Sequence, residues 1–69
     1  MTVYVSDSAC VPKLVDDLLR GGCVPSMVDH ETLEVIHPHA ENAAEARTEL
    51  VFFLRAWQAR HPDVDLTLA

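Results

Sequence analysis

The sequence predicts an α+β two-layer sandwich: a four-stranded antiparallel sheet with two helices on one face, in the order β-α-β-β-α-β. Three observations carry this expectation. Short alternating segments at 2–6, 23–28, 32–37 and 64–68 have the period of half-buried strands. The stretches from Asp7-Ser8 to Gly21-Gly22, and from about Glu41 to Arg60, have helical periodicity. Between the elements stand Gly21-Gly22, Pro38 and Pro62. With 69 residues, half of them apolar (49%), the chain is expected to form a single domain over 1–69 with a small core.

In the first strand, Val3 and Val5 share one face and Tyr4 takes the other. Asp7 and Ser8 offer capping oxygens to the helix that follows, and Pro12 is tolerated in a first helical turn. Val11, Leu14, Val15, Leu18 and Leu19 give that helix its apolar side, and Gly21-Gly22 ends it. The second strand, 23–28, contains Pro25, which cannot donate to a ladder and so belongs at a sheet edge. A turn at Asp29-His30-Glu31 leads to the third strand, with Leu33 and Val35 on one face and Glu34 and Ile36 towards the other. In the second helix, Ala43, Ala46, Phe53, Leu54 and Trp57 fall within roughly 60° of Leu50 at about 100° per residue. Acids lie towards its start and Arg55 and Arg60 towards its end, which suits the helix dipole. Val64, Leu66 and Leu68 alternate with Asp63, Asp65 and Thr67 in a last strand.

Two βα units joined through a hairpin give the ferredoxin-like split arrangement, strands 1 and 3 central and strands 2 and 4 outermost. Pro25, Asp63 and Asp65 then fall on edges, where such residues discourage aggregation. The helix ending Leu18-Leu19-Arg20-Gly21-Gly22, the strand from Cys23 to Val28 and the hairpin into Leu33-Glu34-Val35 resemble small ACT-like regulatory domains and short stand-alone signal-transducing domains. The likeness spans most of the chain. It implies small-ligand binding at helix–strand junctions and interfaces, and dimers. The first strand-to-helix loop departs from that pattern in lacking a glycine.

Eleven acids against five basic residues give a formal charge of −6. Nucleic acid and anionic membrane surfaces both call for a basic footprint, so neither is an expected partner. An RNA-binding sheet needs stacking aromatics with basic neighbours. Here the strands offer only Tyr4, among acids. No apolar run approaches ~18 residues, and the start has neither a basic region nor an apolar one, so neither a membrane span nor a secretion signal is expected. Cys10 and Cys23 lie at opposite ends of the first helix, too far apart for a bridge, which needs Cα atoms within about 7 Å. Free thiols and a cytoplasmic address follow as expectations.

No glycine-rich phosphate loop, G-x-S-x-G, H-E-x-x-H or C-x-x-C motif is present, so neither an enzyme nor a cofactor is expected. Asp7, Ser8, Cys10, His37, His39, Glu41 and Asn42 are expected to converge at one end of the sheet, with Cys23, His30 and His61 at the other. Asp7, Cys10, His37 and His39 have the donor chemistry of a zinc site, against which stands their reading as solvated loop residues. Cys10 beside a helix start is either a nucleophile of lowered pKa or a core thiol.

The stronger signal is Phe52, about 140° from Trp57 on the second helix. Ala56 and Ala59 share its side, where solvation calls for polar residues. Tyr4 and Ile36 mark the uncovered sheet face as another surface. Glu34 and Asp65 there would meet their symmetry mates, which favours the helix side. The leading expectation is a non-enzymatic interaction module that forms a homodimer or docks on a protein partner. The alternative is a regulatory domain that binds a small ligand or metal through the 7–10 and 37–42 loops.

Overall fold

The computed structural model describes residues 1–69. Strand β1 (Thr2–Val5) leads through a 3-10 turn (Ser8–Cys10) to helix α1 (Val11–Arg20). Strands β2 (Val24–Asp29) and β3 (Thr32–Ile36) form a hairpin, and helix α2 (Ala43–Arg60) precedes β4 (Leu66–Leu68). The sheet runs β2-β3-β1-β4 with every neighbouring pair antiparallel. This is the expected ferredoxin-like two-layer sandwich.

Local chemistry sets the boundaries. Asp7 Oδ1 accepts from the Ala9 N–H at 3.0 Å, so it caps the 3-10 turn and not α1 itself. At the end of α1, the Cys23 N–H donates to the Leu18 C=O and the Gly22 N–H to the Leu19 C=O. This paired closure requires a left-handed residue, supplied by Gly22 at φ 85°. Helix α2 starts at Ala43 because Asn42 Oδ1 accepts from the Glu45 N–H at 2.8 Å, while Glu45 Oε2 accepts from the Glu41 N–H at 3.1 Å. Strand β4 starts at Leu66, not at Val64. The Val64 N–H closes a turn onto the His61 C=O at 3.1 Å, and the Val64 side chain plugs the core from that turn.

The core lies between the sheet and both helices. Val3 and Val5, Leu33 and Val35, Leu14 and Leu18, and Leu50, Leu54 and Trp57 form one buried cluster. Side chains this size contribute about 1.5–3 kcal/mol each on full burial, so the stripe read from the sequence supplies most of the driving force. Phe53 is only half-buried, its ring edge against Gly21. Leu19 and Ala43 are exposed, one on the outer side of α1 and the other in the first turn of α2.

The two sheet edges differ. The Val35 N–H donates to the Met1 C=O at 2.7 Å, so the Val35 backbone faces β1 and away from β2. Pro25 lies opposite Val35. Pairs of this kind exchange no hydrogen bonds, so Pro25 turns its backbone outward and costs the ladder nothing. The same position removes a donor from the open edge of β2, and a bulge between Met27 and Asp29 bends that edge. At the other edge, Asp63 and Asp65 precede β4, leaving Leu66–Leu68 without a charged residue.

Candidate functional site

The predicted convergence of the 7–10 and 37–42 loops does not occur. Strands β1 and β3 are antiparallel, with Thr2 opposite Glu34 and Tyr4 opposite Thr32. The chain therefore leaves β1 and β3 at opposite ends of the sheet. Asp7 and Cys10 share their end with His61, whereas His37 and His39 share theirs with Cys23. No group of three or more His, Cys, Asp or Glu side chains is placed to hold a metal ion, so the zinc set Asp7, Cys10, His37 and His39 is not assembled.

At the first end, a cleft of about 310 Å³ is lined by Asp7, Cys10, Arg60, His61 and Asp63. The Cys10 thiol lies 3.6 Å from Asp7 Oδ2. Desolvation, followed by the Asp7 charge and hydrogen bond, raises its pKa above the ordinary 9.0. This is the reverse of the lowered pKa that the nucleophile reading of Cys10 required. The His61 ring stacks on Trp57 at 3.9 Å and 16°. Its Nδ1 lies 2.9 Å from the Trp57 C=O. A carbonyl only accepts, so Nδ1 carries the proton and the stack fixes the ring.

At the second end, His37 Nε2 lies 2.5 Å from Glu49 Oε2, with the His37 side chain 13% exposed. Its Nδ1 is buried without a partner beside a cleft of about 290 Å³ formed with Met1, Ile36, Ala40, Asn42 and Ala46. With Nε2–H given to Glu49, that Nδ1 is an acceptor left without a donor inside the chain. His39 is exposed in the turn, its Cδ2 beside Gly22. Cys23 is buried, and burial followed by the Glu49 charge raises its pKa. Both cysteines are free thiols.

The surfaces follow the sequence more closely. Phe52 is 66% exposed, Ala56 and Ala59 are exposed beside it, and Trp57 is at 0%. Lys13 and Arg20 pair with Asp17 and Asp16 on α1, whereas Arg55 and Arg60 pair with no carboxylate. On the open sheet face, Tyr4 and Ile36 are exposed. Glu34 is not the bare charge expected there. It accepts from the Met1 ammonium at 2.6 Å and from Thr2 Oγ1 at 2.8 Å, which together lower its pKa. Asp65 Oδ1 is drawn towards α2 by Gln58 Nε2 at 3.2 Å. Repulsion across the sheet face is accordingly weaker than the sequence suggests. Sequence reasoning missed His61 as a cleft residue because its place depends on the stack with Trp57. An aromatic and a histidine four residues apart on a helix end were the available signal.

No helix is long and apolar enough to cross a membrane. No protein-family model, curated protein or solved structure matches the chain.

Proposed function

We propose that the chain is a non-enzymatic interaction module that works by self-association, with the outer side of α2 at the contact. The observation that carries this reading is Phe52, 66% exposed in the middle of an 18-residue helix whose opposite side already fills the core. Ala56 and Ala59 beside it keep the helix surface low enough for a partner backbone to approach. A second copy is the partner that fits. The acids Glu45 and Glu49 precede Phe52, and Arg55 and Arg60 follow it. An antiparallel copy therefore sets opposite charges across the contact. A small core gains stability from such an association. Free thiols at both cysteines fit a reducing, cytoplasmic address.

Phe52→Glu tests the reading by sedimentation equilibrium. The wild type should have the mass of a dimer and the variant that of a monomer, with circular dichroism unchanged. A wild type that stays monomeric at high concentration rules out self-association.

A further inference from the structure

We propose that the free edge of β4 receives β4 of a second copy, antiparallel, across a twofold axis at Thr67. This rests on the self-association reading and adds a second contact to it, on the flank of α2 that holds Val51 and Gln58, about 100° round the helix from Phe52. The Ser6 N–H donates to the Asp65 C=O at 3.0 Å, and the Ala69 N–H donates to the Thr2 C=O at 2.9 Å. Asp65 and Ala69 therefore face β1. Backbone direction alternates along an antiparallel strand, so Thr67, opposite Tyr4, faces β1 as well. The N–H and C=O groups of Leu66 and Leu68 point outward, with no proline among them. Placing Thr67 opposite its own copy sets each Leu66 opposite Leu68 of the partner subunit. These are outward-facing residues on both sides, so each pair exchanges both hydrogen bonds. A slip by one residue would oppose outward groups to inward ones and lose them.

The side chains agree with this register. Leu66 and Leu68 are half-buried and line a groove of about 130 Å³ with Val51, Leu54, Arg55 and Gln58 of α2. Pairing joins this groove to its symmetry mate and runs the two α2 helices side by side, antiparallel. Thr67 meets Thr67 of the partner subunit, a neutral pair. Asp65 of the partner subunit falls opposite Ala69, whose C=O accepts from Arg47 Nη1 at 3.1 Å. Arg47 pairs with no Asp or Glu of its own chain, so the acid of one copy arrives beside a cation of the other that holds only the Ala69 oxygen. This offsets the repulsion between two chains of charge −6.

Leu68→Pro deletes an outward donor and leaves every bond of the chain's own ladder in place, whereas Leu68→Ala trims the side chain and keeps the donor. By sedimentation equilibrium, Leu68→Pro should be monomeric and Leu68→Ala dimeric, both with native circular dichroism. In the wild type, the Leu66 and Leu68 amides should exchange with solvent more than about tenfold slower at concentrations where the dimer forms than where it does not. That measurement also decides the matter if Leu68→Pro fails to fold. A dimeric Leu68→Pro variant, or Leu66 and Leu68 amides unprotected in a dimeric wild type, would overturn the β4 seam and leave the α2 contact standing. A monomeric wild type overturns both.

Discussion

Trp57 is the largest fully buried side chain, and its indole N–H needs a partner inside. It finds one in Asp17 Oδ2 at 2.9 Å, a bond that joins α2 to α1. This hydrogen bond, with help from Lys13, lowers the Asp17 pKa below its ordinary 3.8, against the opposing effect of desolvation. Asp17 is thus more acidic folded than unfolded. Its contribution to stability is complete above pH 3.8 and is lost as the pH falls through the lower folded value. Asp17→Asn keeps an acceptor but does not titrate. The stability difference between wild type and Asp17→Asn, followed by Trp57 fluorescence in urea, should be constant near neutrality and shrink below about pH 4. A difference that does not change on acidification would show that the charge on Asp17 is irrelevant to this bond.

At the scale of elements, α2 depends on its first turn. Asn42 satisfies the Glu45 N–H, and its replacement leaves that donor to water. Asn42→Ala should cost about 1 kcal/mol in urea denaturation without a change in slope, and Asn42→Asp should cost little. An Ala variant as stable as the wild type would mean that the cap contributes nothing. The elements themselves were legible in the sequence because each has its own period: Val3 and Val5 against Tyr4, Leu50 and Trp57 against Phe52. The site was less so. Cys10 stands at a helix start, where the sequence puts it, and His37, read as the last residue of a strand, stands one residue beyond β3. Joining them required the chain to leave β1 and β3 at the same end, which antiparallel pairing forbids. Residue spacing along the chain contains no record of that direction. The partner of Glu34 was hidden for a related reason, since Met1 lies 33 residues away, and that of Asp65 because Gln58 reaches it across the turn between α2 and β4.

For the whole molecule, the two edges of the sheet have different capacities. The β4 edge offers complete outward-facing peptide groups at Leu66 and Leu68. The β2 edge lacks the donor at Pro25 and bends after Met27. Exposed Val24, Met27 and Val28 would otherwise make β2 the more adhesive edge. Pro25→Ser should leave the fold intact, because the missing N–H faces away from β3, and should produce species heavier than a dimer in sedimentation velocity. An unchanged mass distribution would show that the bulge alone guards the edge. In the language of polymer chemistry, a unit with one reactive end couples once and stops, and a unit with two grows without limit. If the β4 edges pair as proposed, one pyrrolidine ring, with the bulge beside it, holds this chain's functionality at one. Pro25 would then be the chain stopper that separates a discrete pair from a filament.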